Sequence, residues 1–417
     1  MSGPPRILPA ARVHGGPART VRGSSGRTPA AGTEAPQGAS LGAARISLGR
    51  AFQAESSNYY LLLGVTLFMV VFGLIMVLSS SAVDSHTAGD NFFSRFLSQG
   101  MYAVVGVPIM LLASRIPSRF WKRMAWPILI GALLLQVLVV ATPLGSDNGY
   151  NQNWLKLGPI VFQPSEVIKI AMILWMGMFV SRKWEKITQW KYGLLPMVLV
   201  TAVTVGLVLA GGDLGTTSIM GAIVLGTLFF AGIPIRQLAT TALLAGGIAV
   251  LFAISRPSRL NRITDFLHPN ASDPMSGGWQ ILQGNYALAS GGVFGVGLGN
   301  STSKWNWLPA ADTDFIFAIV GEELGLIGAV VVLVLFVVLA IVFVRIMHAS
   351  ADPFARVVTG AVMIWLVGQG LVNIAVVLGV MPVLGVPLPL ISAGGTALIS
   401  SLFAIGVVLS FARSNSR

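Results

Sequence analysis

Long apolar runs recur along this chain, and they constrain its fold more than any other feature. An α-helix needs about 20 apolar residues to cross the hydrocarbon core of a bilayer, and several runs have roughly this length. Hydrophobic residues make up 54% of the 417 residues, and the mean hydropathy is +0.78, well above that of a soluble domain. Because backbone groups in lipid must be paired within their own segment, we predict an all-α, polytopic membrane protein with about ten transmembrane helices. We place the spans at residues 59–79, 98–114, 125–142, 161–181, 194–211, 214–232, 238–255, 314–344, 356–380 and 391–412.

The chain divides into a tail and a membrane domain. Residues 1–56 are rich in Gly, Pro, Ala, Ser and Arg, and they hold too few apolar side chains to offset the entropy of ordering. We therefore predict a disordered basic cytoplasmic tail at 1–56 and a ten-helix membrane domain at 57–413. No apolar core follows the basic residues of the tail before Tyr59, so a signal peptide is not expected. The longest connection, 256–313, is predicted to be a large extracellular loop between helices seven and eight.

Lysine and arginine are distributed unequally between the two sides of the predicted bundle. With the tail inside, 20 of these residues lie on the inner side and 6 on the outer side, and Lys169 falls within a span. Positive charge favours the cytoplasmic side, so we predict that both termini are cytoplasmic. The same distribution explains the net charge of +12 without a nucleic-acid partner. The chain has no Cys and only 4 His, which excludes disulfides and thiolate metal sites and disfavours a zinc site.

Carboxylates are concentrated where the eighth span begins. Asp312 and Asp314 precede the apolar run, and Glu322 and Glu323 lie within it, although the whole chain has only 15 acidic residues. Ionisable groups at membrane depth usually mark a substrate path or a reactive site. Asp314 is predicted to lie in the first turn of the helix, capped by Asp312 or Thr313, where it is a candidate general base. The alternatives are that Asp314 only caps the helix and that the glutamates form a buried structural ion pair.

Further polar clusters lie at the fourth span and in the long loop. Glu166 and Lys169 are three residues apart, so they share a helical face and can pair or serve a common cavity. Arg259 and Arg262 share a face if their stretch is helical, and arginine matches phosphate oxygens by two-point contacts. The glycine-rich stretch 291–299 lets its backbone pass close to a partner or a ligand, and it lacks the lysine of a nucleotide loop. The alternatives are a purely structural pair at the fourth span and arginines that reach toward lipid headgroups.

Several short motifs follow one another in a fixed order along the chain. They are Asn148-Gly149 with Trp154-Leu155, Gln163-Pro164-Ser165-Glu166 with Lys169, Asp213-Leu214-Gly215-Thr216, Arg259-Leu260 with Arg262, Asp273-Pro274, Gln280 with Gln283, Thr313-Asp314-Phe315-Ile316-Phe317, Gly321-Glu322-Glu323-Leu324-Gly325, and Pro387-Leu388-Pro389-Leu390-Ile391-Ser392 with Gly394-Gly395-Thr396. This ordered set resembles the shape, elongation, division and sporulation (SEDS) family over residues 59–412. The Gly-Gly-Thr ending is more similar to the cell-division branch than to the rod-elongation branch.

The resemblance implies a peptidoglycan glycosyltransferase that polymerises lipid II outside the cytoplasmic membrane for septal wall synthesis, and a single displacement would invert the anomeric carbon. It puts the catalytic aspartate on Asp314. Supporting or substrate-binding roles fall on Glu166, Lys169, Arg259, Arg262, Gln283, Glu322 and Ser392. The implied partners are lipid II, membrane lipids, other cell-division proteins and a class B penicillin-binding protein (a transpeptidase), with no nucleic acid. No metal ligand is assigned, and a divalent cation, Mg²⁺ or Mn²⁺, is left open.

The chain departs from the pattern of the family at three positions. Asp312 replaces a common His, Ala310 replaces the usual Glu, and Gly212 replaces the usual Pro. Two other functions stay open. A transporter that flips lipid II would need polar residues at both leaflets, whereas those in this chain are expected mainly in the outer half. A non-catalytic division scaffold would tolerate the loss of the carboxylates.

Overall fold

The structure, a computed structural model, describes residues 56–87, 93–142, 145–147, 152–157, 160–254, 257–268, 276–305 and 307–414. The predicted tail lies outside these residues except for Ser56, and so do the motif positions Asn148-Gly149 and Asp273-Pro274. The helices are α1 (Ser57–Thr87), α2 (Ser94–Ala113), α3 (Ser118–Ala141), α4 (Pro164–Arg182), α5 (Leu195–Ala210), α6 (Leu214–Phe230), α7 (Ile235–Ile254), α8 (Pro257–Leu267), α9 (Gly277–Gly291), α10 (Ile316–Ala349), α11 (Pro353–Met363), α12 (Gln369–Val377) and α13 (Gly395–Ser414). The π-helical turn Ile364–Gly368 joins α11 to α12 in one continuous span, and a second π-helical turn, Trp190–Leu194, leads into α5.

The helical membrane architecture predicted from the sequence is confirmed. Within the described residues, nine helical segments are long and apolar enough to cross a bilayer, and α6 adds a shorter apolar helix. Each predicted span coincides with one of these segments, and the bounds differ by a few residues. The chain is therefore a multi-pass membrane protein.

α4 is the central helix of the bundle. It packs against α3, α11, α5, α6 and α13, and 83% of the residues in its most apolar stretch are buried. A second packed pair is α2 with α13, where Gly406 lets the two backbones approach so closely that a Cβ would lie 2.5 Å from the carbonyl oxygen of Met110. In contrast, most side chains of α7 are exposed, so this helix lies at the margin of the bundle.

The helices alternate in direction, so the bundle has two distinct ends. One end carries the start of α10 with Asp314, and we call it the Asp314 end. The starts of α2, α4, α6 and α13 lie at the same end. The first residue of α1 lies at the opposite end, where Ser56 Oγ donates a hydrogen bond to the carbonyl oxygen of Ala412 over 3.1 Å.

Two structured segments at the Asp314 end were not predicted. Residues between α3 and α4 form a small antiparallel sheet of β1 (Gly145–Asp147), β2 (Gln152–Leu157) and β3 (Ile160–Phe162), in that order. The connection 256–313, predicted as a long loop, contains the two helices α8 and α9. The described residues after α9, 292–305 and 307–313, contact α10 and lead into it.

α10 is interrupted, which the sequence did not predict. Gly325 has φ 67° and ψ −163°, outside the helical region, and it separates residues 316–324 from residues 326–349. The glycine-rich stretch 291–299 lies against this break. Val296 and Gly297 donate their amides to the carbonyl oxygens of Glu322 and Glu323 over 3.0 Å, and Leu326 donates its amide back to the oxygen of Gly292 over 2.9 Å. The loop therefore supplies partners to backbone groups that the break removes from the helix.

Candidate active site

Asp314 lies in a tight turn just before α10, not in its first helical turn. The helix begins at Ile316 with Phe315 as the N-cap residue, and no side chain caps it. The prediction that Asp312 or Thr313 caps this helix is therefore wrong. Ala310 has a positive φ of 57°, and its carbonyl oxygen accepts hydrogen bonds from the amides of Thr313 and Phe315, both over 3.1 Å. The Asp314 carboxylate is half-buried, and a Cβ at Gly385 would lie 3.6 Å from its Oδ2.

The side chain of Asp312 is engaged by a cation from α2. It is buried, with 2% of the side chain exposed, and it forms an ion pair with Arg95, whose side chain is 47% exposed. A carboxylate at this depth requires such a partner, because an unpaired buried charge is strongly destabilising. The departure from the family pattern at Asp312 thus has a structural counterpart in Arg95.

Two side chains fix the backbone on either side of the Asp314 carboxylate. Asn373 of α12 donates its amide hydrogens to the carbonyl oxygens of Asp314, over 2.7 Å, and Val386, over 2.8 Å. Ser392 donates its hydroxyl to the oxygen of Thr313 over 2.6 Å and accepts the amide of Leu388 over 2.8 Å. The turn that carries Asp314 is therefore bonded to the segment 386–392, which precedes α13.

Gln99 of α2 joins the same network. Its amide nitrogen donates to the carbonyl oxygen of Ser392, and its amide oxygen accepts from the amide of Gly394, both over 3.1 Å. Gln99 and Arg95 are four residues apart, so one face of α2 contacts both the turn before α10 and the segment before α13.

The predicted pair in α4 exists and lies deep in the bundle. Lys169 Nζ donates to Glu166 Oε1 over 2.8 Å, and the two side chains are 2% and 4% exposed. The ammonium also lies 3.4 Å from Gln369 Oε1 and 4.6 Å from the ring centre of Trp365. Gln369 in turn donates to the carbonyl oxygen of Pro387 over 2.8 Å. Through Gln369, the pair therefore supports the segment 386–392 from the interior of the bundle.

Glu166 and Ser392 line one small cavity, together with residues 387–390 and the start of α13. Its volume is about 10 Å³, which is close to the space that one water molecule needs. The structure thus links predicted site residues from separate parts of the sequence, because the segment 386–392 contacts both the turn of Asp314 and the pair in α4.

Glu322 and Glu323 form a separate cluster around the break in α10. Glu322 accepts hydrogen bonds from the hydroxyl of Ser301, over 2.6 Å, and from the amide of Thr302, over 2.9 Å. Glu323 accepts the hydroxyl of Ser79 of α1 over 2.6 Å and pairs with Lys304 over 3.2 Å. Both glutamates are buried, so both face the interior of the bundle. Their partners show that this cluster anchors the loop before Asp314.

The remaining predicted site residues lie beside this core. Arg259 and Arg262 are on α8, so their stretch is helical and they share a face. Their side chains lie outside the described part of the structure. Gln283 is half-buried on α9, where the neighbouring Gly284 packs against the ring of Phe315.

Within the part of the chain that the structure describes, no group of three or more His, Cys, Asp or Glu side chains is placed to ligate a metal. The nearest carboxylate to Asp314 in sequence, Asp312, already pairs with Arg95.

Residues 59–417 match the sequence profile of the cell cycle proteins FtsW, RodA and SpoVE. The chain belongs to this family. The resemblance stated from the motifs is thereby confirmed. The chain is 36% identical over 369 residues to the probable peptidoglycan glycosyltransferase FtsW of Mycobacterium tuberculosis, covering 88% of this chain and 70% of that protein.

Solved structures of family members share the fold. One is a chain from a peptidoglycan synthase complex described as coordinating polymerization and crosslinking, with a TM-score of 0.72, 27% identity, and coverage of 87% of this chain and 99% of that one. Another is the rod shape determining protein RodA of Thermus thermophilus, with a TM-score of 0.64, 25% identity, and coverage of 88% and 99%. The similarity therefore extends over nearly the whole bundle.

Several residues of the site were missed by sequence reasoning. Asn373, Gln369 and Gln99 are single amides within apolar helices, and Ser79 is one of several serines near the end of α1. A polar side chain in the middle of an apolar span is itself a signal, because it must find a partner inside the bundle. The sequence did not say which partner, since these contacts join residues far apart in the chain.

Proposed function

We propose that this chain is a peptidoglycan glycosyltransferase that polymerises lipid II at the outer face of the cytoplasmic membrane, in septal wall synthesis. Two findings support the activity: membership of the family, and 36% identity to a protein named as a probable peptidoglycan glycosyltransferase. The observation that carries the mechanism is the position of Asp314. Its half-buried carboxylate lies on a turn that is bonded to α12, to the segment 386–392 and, through Asp312, to α2.

Asp314 acts as the general base in this proposal. Polymerisation joins a sugar 4-hydroxyl to an anomeric carbon that carries a lipid diphosphate. Asp314 removes the proton from the hydroxyl as its oxygen attacks, the bond from the anomeric carbon to the diphosphate breaks, and the configuration inverts. Proton transfer by a positioned base contributes about 10²–10⁴ in rate. The backbone bonds from Asn373 and Ser392 limit the movement of the turn, so the carboxylate is held ready for this transfer.

Lys169 has an indirect role in this geometry. Its ammonium is buried and bonded to Glu166 and Gln369, so it supports the segment beside Asp314 instead of reaching the departing diphosphate. The cation nearest to Asp314 along the network is Arg95, which is half exposed. Charge that develops on the diphosphate would be stabilised from that side.

We further propose that the Asp314 end faces outward and that both termini are cytoplasmic. The opposite end of the bundle carries most of the described basic residues, which favours the cytoplasmic side. They are Arg115, Arg119, Lys122, Arg123, Arg182, Lys183, Lys186, Lys191, Arg236, Arg345, Arg356 and Arg413. A class B penicillin-binding protein is the proposed partner, because the chain resembles a component of a complex that couples polymerization and crosslinking. Other cell-division proteins at the septum are expected around this pair.

The test is polymerisation of lipid II by purified full-length Asp314→Asn with its partner transpeptidase. We expect the rate to fall by at least about 10², because amide replacement removes the base and keeps the shape. Asp352→Asn is the matched control. Asp352 lies at the opposite end, where it pairs with Lys122 and caps α11, and Asn preserves the cap. Normal glycan strands from a folded Asp314→Asn protein would overturn the assignment.

A further inference from the structure

An apolar groove lies between α1 and α2 and ends beside the site. Its volume is about 580 Å³, within the usual range of ligand sites. Every lining residue is apolar or glycine: Leu67, Val70, Val71 and Leu74 of α1, and Phe96, Leu97, Gly100, Met101, Ala103, Val104, Val107 and Pro108 of α2. From Phe96 to Pro108 the groove follows α2 for about 18 Å, more than half of a bilayer core.

The groove has a cation at one end. Arg95 directly precedes Phe96 and Leu97, which line the groove at the Asp314 end. The Arg95 guanidinium contacts Asp312, two residues before Asp314, and nearly half of its side chain is exposed. Guanidinium presents its donors in a planar fork that suits phosphate oxygens.

Both walls of the groove also contact the segment that supports Asp314. On α1, a Cβ at Gly73 would lie 2.6 Å from the Cα of Ile391, so this helix touches the backbone next to Ser392. On α2, Gln99 bonds to Ser392 and Gly394. The two helices that form the groove therefore also hold the segment beside Asp314.

We propose that this groove binds the prenyl chain of the lipid-linked sugar substrate, with its diphosphate at Arg95. This inference rests on the proposed function and adds the place where the substrate lipid lies. An apolar chain fills a groove without polar groups, and the diphosphate meets the cation at the mouth. The sugar on this diphosphate then lies beside the Arg95–Asp312 contact, two residues from Asp314 in the chain.

The kinetic test fills the groove at Gly100. A Cβ at Gly100 meets nothing within 4 Å, so Gly100→Leu adds a side chain to open space without displacing the bundle. The matched control is Gly131→Leu on α3, where a Cβ also meets nothing and the residue is exposed. Polymerisation is measured for the full chain with its partner, using substrates with a long and a short prenyl chain.

We expect Gly100→Leu to raise KM for the long-chain substrate about tenfold, since contacts of roughly one apolar side chain are lost. The short-chain substrate should be little affected, and Gly131→Leu should match the parent for both. Unchanged KM for the long chain, or equal losses for both chain lengths, would overturn the proposal.

A binding test separates this proposal from the proposed function, because it needs no turnover. A photoreactive amino acid at Val104, which lines the groove and is 73% exposed, is compared with one at Leu134 of α3, 60% exposed. The probe is a radiolabelled long-chain prenyl diphosphate in nanodiscs. We expect labelling at Val104 that unlabelled prenyl diphosphate removes and that Arg95→Gln with Asp312→Asn weakens. Equal labelling at Leu134, competition by phosphatidylglycerol, or crosslinking of Val104 to another protein would contradict the assignment.

Discussion

The charged pair in α4 shows how strongly a single residue depends on its partner at this depth. Lys169 and Glu166 are nearly fully buried and 2.8 Å apart. We expect Lys169→Met to lower the free energy of unfolding by about 3–5 kcal/mol, because it leaves a buried carboxylate without its cation. The double variant Lys169→Met with Glu166→Gln should recover most of this loss. Thermal unfolding in detergent measures both.

Activity of the same double variant decides whether the pair is only structural. Lys169 is also bonded to Gln369, which holds the segment before α13, so we expect polymerisation to stay at least about tenfold below the parent even when stability returns. A double variant with parental stability and parental activity would leave the pair with a structural role alone.

Local sequence reasoning succeeded for this pair and failed for Asp312. Glu166 and Lys169 are three residues apart, so the helical repeat alone places them together. Asp312 instead meets Arg95, 217 residues away, and its role as a helix cap was the nearest local alternative. Contacts of this kind depend on which helices are neighbours, and hydropathy does not encode that order.

At the scale of elements, the break in α10 is the feature that most shapes the site. A Cβ on Gly325 would lie 2.4 Å from the nitrogen of Gly295 and the oxygen of Val293, and its φ is 67°. We expect Gly325→Ala to lower the free energy of unfolding by at least about 2–3 kcal/mol, from strain and this overlap. The amides of Val296 and Gly297, which bond to α10 across the break, should exchange faster with deuterium.

Gly221→Ala in α6 is the control for that change. Gly221 is helical, and a Cβ there meets nothing within 4 Å, so the substitution should stabilise by about 0.5–1 kcal/mol. Unchanged exchange at Val296 and Gly297 in Gly325→Ala would show that the loop does not depend on the break.

The membrane spans were predictable, but the break and the small sheet were not. Apolar runs have lengths that the bilayer fixes, so the spans follow from composition. Gly325 is one glycine among several in an apolar run, and glycine occurs within helices as well as at breaks. The glycine-rich stretch 291–299 was predicted to approach a partner, and the partner is the backbone of this chain.

At the scale of the whole molecule, hydropathy does not reveal which span is central. α4 is the most buried of the described spans and also has the lowest hydropathy among them, because the polar groups that it carries face the interior. α10 has the highest hydropathy among them. Two thirds of the residues in its most apolar stretch are not buried, since much of its surface faces lipid. The surface of a membrane protein that faces lipid is as apolar as its interior or more so. A buried core therefore cannot be identified from apolar runs alone.

The proposed orientation is testable because the chain contains no cysteine. Asn300→Cys places a single thiol at an exposed position at the Asp314 end, and Lys186→Cys places one at an exposed position at the opposite end. We expect a membrane-impermeant maleimide to label Asn300→Cys in intact spheroplasts and Lys186→Cys only after permeabilisation, because basic residues concentrate at the Lys186 end. The reverse pattern would turn Asp314 toward the cytoplasm, where its carboxylate could not serve polymerisation outside the membrane.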